Sequence, residues 1–151
     1  MTPLLSTRHL WQLGFAEIPR PLALPRDYDV VRVGMGLGLT AIEMMIDQGH
    51  HVGPLLCCIQ HHKLLVPVRA GTAHWWGAPH SDCGRGPAQR CETCGGLAAC
   101  RSRLWMLPAG PLAAATTEPG ALHHHLSQMR SRLRDVSSQP QGARVRETCH
   151  V

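Results

Sequence analysis

The stretch from Tyr28 to Gly49 constrains the fold more than any other part of this chain. Tyr28–Val33 (YDVVRV) is rich in β-branched residues and bounded by turn formers, which predicts a strand. Gly34, Gly36 and Gly38 follow. Leu39, Ile42, Met45 and Ile46 then fall on one face of a helix, with Glu43 and Asp47 on the other. Thr40 and Glu43 have the spacing of a capping box, and Gly49 suits the residue that ends a helix.

Further elements follow the same logic. Leu55–Ile59 and Lys63–Val68 predict two strands joined by a Gln60-His61-His62 turn, and Pro67 argues that the second lies at a sheet edge. Ala70–Trp76 fits one helical turn ending at Gly77. Arg103–Leu107 (RLWML) predicts a strand stopped by Pro108-Ala109-Gly110-Pro111. Thr117 is placed to cap a long helix with Pro119 in its first turn. Leu122, Leu126, Met129 and Leu133 make its apolar stripe, and Arg130, Arg132 and Arg134 suit the negative end of its dipole. Near the start, Arg8–Gly14 predicts a short helix capped by Ser6 or Thr7, and Pro19, Pro21 and Pro25 impose an extended connection.

This order predicts an α+β fold, a small mixed β-sheet with packed helices and a Cys-rich loop insertion. Residues 1–21 form an N-terminal helical extension, 22–134 a single domain with the insertion at 77–101, and 135–151 a disordered tail. A chain of 151 residues can bury such a core without disulfides.

Composition narrows the function classes. Aromatic residues are only 4%, so Leu, Val, Ile, Met and Ala must fill the core. Lys63 is the single lysine, but the arginines are spread along the chain and the net charge is a modest +5, which reads as composition rather than a phosphate-binding surface. Polar residues interrupt the apolar N-terminus, and the longest strongly apolar stretch, Pro54–Ile59, is far too short to span a bilayer. With no export signal, seven cysteines read as reduced thiols or metal ligands, and a cytoplasmic location is expected.

Three groupings bear on chemistry. The strand, the Gly34-x-Gly36-x-Gly38 run and the helix have the layout of a dinucleotide site, but the spacing lacks the GxGxxG form, and a turn before a helix explains it better. Asp27 and Asp29 are two residues apart and could chelate a divalent ion, although a polar strand entry accounts for them without one. Cys83, Cys91, Cys94 and Cys100 form the candidate metal site, with His80 or His74 able to replace one ligand. Zinc is expected ahead of an iron–sulfur cluster.

The remaining reactive side chains take no assigned role. Of Cys57 and Cys58, at most one should face the core. His61-His62 sits in a turn and His123-His124-His125 on helix surface. Of Trp75, Trp76 and Trp105, one or two should anchor the core, while an exposed one could stack on a base.

Several short pieces carry a resemblance. They are Leu24-Pro25-x-x-Tyr28-Asp29-Val30-Val31, Gly38-x-x-Ala41, Gly53-Pro54-Leu55, Val66-Pro67-Val68, Ala70-Gly71-Thr72-Ala73-x-x-Trp76 and Trp105-Met106-Leu107-Pro108-Ala109-Gly110. Together, across about residues 22–134, the chain resembles small actinobacterial proteins labelled bifunctional DNA primase/polymerase-like. The resemblance implies a diverged primase/polymerase-like domain acting as an accessory or binding protein, with DNA or a replication or regulatory protein as partner. It transfers no catalytic residue. The Cys91-x2-Cys94-x5-Cys100 spacing is also similar to that of WhiB-like iron–sulfur regulators, which implies the alternative of a Cys-coordinated DNA-binding transcriptional regulator.

Overall fold

The computed structural model describes residues 11–15, 24–86 and 103–138. Their elements are β1 (Trp11–Phe15), β2 (Tyr28–Gly34), α1 (Met35–Asp47), β3 (Leu55–Cys58), β4 (Lys63–Arg69), a 3-10 turn (Thr72–His74), β5 (Ser81–Arg85), β6 (Arg103–Pro108) and α2 (Pro119–Ser138). The six strands form one sheet in the order β1-β6-β3-β4-β2-β5, and the fold is α+β. Every ladder is antiparallel. Parallel geometry is confined to two isolated bridges, Val52–Ala113 and Val68–Thr117.

The β2–α1 unit forms as its pattern dictates, but its helix starts earlier than the capping spacing implied. Gly34 closes β2 and Met35 opens α1 directly. Thr40 therefore lies inside the helix and donates its hydroxyl back to the Gly36 carbonyl at 2.8 Å instead of capping. The Met35 N–H is satisfied by the His62 carbonyl at 2.8 Å. Gly49 takes the left-handed conformation at φ 81°, and the Gly49 and His50 amides bond back to the Ile46 and Met45 carbonyls, a Schellman ending.

Both faces of the sheet are packed. On one, Val31, Val33, Leu55, Cys57, Leu64, Val66, Val68 and Met106 meet Ala41, Ile42 and Met45 of α1 and Leu122 and Leu126 of α2. On the other, Leu24, Tyr28, Val30, Leu56, Cys58, Leu65 and Trp105 form a second cluster. Consecutive strand residues point to opposite faces, so Cys57 and Cys58 are both buried, one in each cluster. This corrects the expectation that at most one of them would face a core.

Five further expectations are corrected. Trp11–Phe15 is a strand, not part of a helix, because β6 offers it a full antiparallel ladder from Trp11–Pro108 to Phe15–Leu104. Pro67 lies in a central strand, between β3 and β2. Its carbonyl accepts from the Thr117 N–H at 3.1 Å, so its nitrogen faces the same flank and no bond to β2 is lost. Within the supposed loop 77–101, Ser81–Arg85 is a strand paired with β2. Thr117 is buried and accepts from the Gly53 N–H at 3.1 Å, so it is no cap; the Glu118 carbonyl receives the first helical bond, from Leu122. Finally, α2 runs on through Asp135–Ser138, where a disordered tail was expected.

Candidate functional site

One end of the sheet holds a cavity of about 430 Å³, lined by Arg26, Asp27, Tyr28, Asp29, Ala70, Gly71, Ala73, His74, Arg85 and Gly86. Three pieces of chain build it. Strand β2 enters with Tyr28 and Asp29. Strand β5 leaves at Arg85, opposite Asp29. Strand β4 ends at Arg69, opposite Tyr28, and turns through Gly71 at φ 93° into the Thr72–His74 turn. Thr72 holds that turn by donating its hydroxyl to the Arg69 carbonyl at 2.7 Å. Gly86 closes the floor: its N–H bonds the Tyr28 carbonyl at 2.9 Å, and a Cβ there would stand 2.7 Å from that same oxygen.

The two carboxylates have different surroundings. Asp29 is 5% exposed, and its Oδ2 accepts the Ala73 N–H at 2.9 Å. Asp27 is exposed and precedes β2. Both line the cavity, but one carboxylate already serves as a structural acceptor. Arg26, His74 and Arg85 are exposed around them. Two guanidiniums and an imidazole beside a cavity of ligand size suit phosphate or carboxylate oxygens.

The glycine run forms no phosphate cradle. Gly36 and Gly38 lie within α1. A Cβ on Gly38 would stand 2.7 Å from both Leu64 Cδ2 and Val33 Cγ1, so this glycine lets the helix approach the sheet.

Of the predicted cysteine ligands, Cys83 alone lies among the described residues. Cys91, Cys94 and Cys100 lie outside the described residues. Cys83 sits in β5 opposite Val31 and packs against the first core cluster. Burial, followed by the negative charges of Asp29 and Asp82, pushes its thiol up to about 12, against an opposing pull from Arg32. His80 is exposed in a left-handed turn conformation, and His74 lines the cavity. Among the described residues, no group of three or more His, Cys, Asp or Glu side chains could hold a metal ion.

Two features of the histidines and cysteines escaped the sequence reading. Cys58 Sγ lies 3.3 Å from His61 Nδ1, a contact whose Cys-x2-His spacing was visible in the sequence. His125 is 1% exposed, not on helix surface, because it shares the stripe of Leu122, Leu126 and Met129. Its ring nitrogens have no hydrogen-bond partner, and its ring centroid lies 6.3 Å from His50 and 5.6 Å from His124. Burial, then the charges of His124 and His50, lowers its pKa.

Of the tryptophans, Trp105 anchors the second cluster. Trp76 donates its Nε1–H to Ser81 Oγ at 3.0 Å, and Trp75, 47% exposed, completes a ring cluster with Trp76 and His123. None of the helices formed by the described residues is long and apolar enough to cross a membrane. Comparison of the chain with protein-family models, with curated proteins and with solved structures finds no match.

Proposed function

We propose that this chain is a diverged primase/polymerase-like domain that acts as an accessory or binding protein in a DNA-related process, without catalysing nucleotide transfer. A metal, zinc before iron–sulfur, stabilises its cysteine-bearing loop. The partner is DNA or a protein of replication or regulation, and the setting is the cytoplasm.

Asp29 carries this reading. In a polymerase-type pair, both carboxylates stand open to metal ions. Here Asp29 is committed to holding the Thr72–His74 turn through Ala73, and Asp27 lies outside the strand. The cavity keeps the means to bind: Arg26 and Arg85 supply guanidinium donors, and His74 adds an imidazole.

Two measurements test the proposal. Purified protein offered template, primer and nucleotides should incorporate none; sustained incorporation that Asp29→Asn abolishes overturns the non-catalytic part. Labelled oligonucleotides should bind with salt-dependent affinity. An Arg26→Ala/Arg85→Ala variant should bind more weakly and lose about 0.9 from the log–log salt slope for each phosphate contact removed. Equal binding by both proteins, or none by either, overturns the assignment of the cavity to DNA.

A further inference from the structure

Trp75 is the largest apolar side chain that the described residues leave open to solvent, 47% exposed. Its neighbour Trp76 is half-buried and packs against the first core cluster. Burial is the ordinary use of an indole, whose apolar surface is large. A tryptophan held at the surface beside a second, seated one presents a flat aromatic ring to whatever approaches.

The ring is fixed from both directions along the chain. Before it, Thr72 donates its hydroxyl to the Arg69 carbonyl at 2.7 Å, and Asp29 Oδ2 accepts the Ala73 N–H at 2.9 Å. The Trp75 N–H itself bonds the Thr72 carbonyl at 3.2 Å. After it, Trp76 donates its Nε1–H to Ser81 Oγ at 3.0 Å, and that hydroxyl donates to the Ala78 carbonyl at 2.9 Å. The Trp75 centroid lies 5.9 Å from Trp76 and 5.8 Å from His123 of α2, at interplanar angles of 45° and 48°. Both rings brace the indole at a tilt, and neither lies flat on it. A ring braced in this way loses little freedom when a ligand stacks on it.

The surroundings select the partner. His74, the residue before Trp75, lines the cavity with Arg26 and Arg85, and consecutive Cα atoms stand about 3.8 Å apart. A base on Trp75 and a phosphate at the cavity can therefore belong to one strand. Asp27 and Asp29 line the same cavity and offset the two guanidiniums, so phosphate attraction alone gives weak binding. Stacking adds affinity that needs no net charge and accepts any base, because every base has a π-face. In a duplex those faces are already covered by neighbouring base pairs; in a single strand they are open.

We propose that Trp75, braced by Trp76 and His123, is a stacking platform for a base of single-stranded DNA. The proposal rests on the DNA reading above. It narrows that reading to single strands and adds a binding residue outside the cavity.

Fluorescence anisotropy of the full chain with a labelled single-stranded oligothymidine, and with a duplex of the same length, tests it. Wild type should bind the single strand more tightly. Trp75→Leu keeps apolar cover over Trp76 but has no aromatic ring. It should weaken single-strand binding about 5- to 150-fold and leave the salt slope unchanged, since no phosphate contact is lost. Trp75→Phe should keep most of the affinity. The bound strand should quench tryptophan emission in wild type, because a stacked indole is quenched by the base, and should quench it less in Trp75→Phe. Should Trp75→Leu fail to fold by circular dichroism, that difference in quenching decides. Wild-type affinity in folded Trp75→Leu, or equal quenching in wild type and Trp75→Phe, overturns the platform. If Arg26→Ala/Arg85→Ala still weakens binding in that case, the DNA reading stands without it. Duplex binding as tight as single-strand binding overturns the choice of single strands. Wild-type protein that binds neither overturns both.

Discussion

Gly36 and Gly38 sit two positions apart in one helix and obey opposite physics. A Cβ on Gly38 meets Leu64 and Val33, whereas one on Gly36 meets nothing within 4 Å. Gly38→Ala should therefore destabilise the protein by about 1–3 kcal/mol through overpacking. Gly36→Ala should stabilise it by up to about 1 kcal/mol through lost backbone entropy in the unfolded chain. Urea denaturation of both variants checks the pair; equal shifts would refute the close helix–sheet approach. His125 gives a second prediction. Its folded pKa lies below its unfolded value near 6.5, so above about pH 6.5 it is neutral in both states and contributes no pH dependence. As pH falls through 6.5, the unfolded state takes up the proton first and stability drops until the folded pKa is reached. The slope contributed can reach about 1.4 kcal/mol per pH unit. His125→Leu should flatten the stability curve between pH 7 and 5, and parallel curves would count against a buried neutral imidazole. The run of three adjacent histidines concealed this residue in the sequence: only the phase of the Leu122–Leu126–Met129 stripe marks the third as inward.

Among the elements, legibility followed periodicity. Strand β2, helix α1, the β3–β4 hairpin, strand β6 and helix α2 all carry their period in their own residues, and all stand where that period placed them. The two edge strands do not. Ser81–Arg85 holds Asp, Gly and Arg, and Trp11–Phe15 reads as helix when taken alone; each becomes a strand only because a neighbour offers it a ladder. Pro67 misled for a related reason. Its place at an edge was inferred from a missing donor, but the donor is missing on the flank where Thr117 crosses instead of a strand. That crossing segment is itself testable. Thr117 Oγ1 receives the Gly53 N–H in a buried setting, so Thr117→Val should leave that donor unsatisfied and cost about 1–3 kcal/mol by thermal or chemical denaturation. A change below a few tenths would show that the link between the β3 entry and the α2 entry is dispensable.

Across the fold, the site proved harder to read than the architecture. The cavity draws its lining from three segments between Arg26 and Gly86, and no local pattern announces that they meet. The cysteine spacing was visible, but the place of Cys83 opposite Val31 and against the core depends on strand order, which periodicity does not encode. The same order sets a gradient of stability. Strands β6, β3, β4 and β2 are flanked on both sides, with β3 and β4 at the centre, while β1 and β5 are edges. Native-state hydrogen exchange should find the amides of β4 and the facing half of β2 slowest, and those of β1 fastest. Comparable protection in β1 and β4 would contradict this layering.

The β1–β6 ladder also has a meaning in time. Phe15 pairs with Leu104, roughly ninety residues later in the chain. On a ribosome adding about 5–20 residues per second, β1 waits about 5–18 seconds for its partner to be made. Throughout that interval Trp11 and Leu13 have no strand beside them, and even in the finished fold Leu13 stays 61% exposed. Among the described strands, β1 is thus the earliest made and the last to be seated, and the nascent chain passes through a stage in which the central strands can pair while Trp11–Phe15 is still open to chaperones or to another copy of itself.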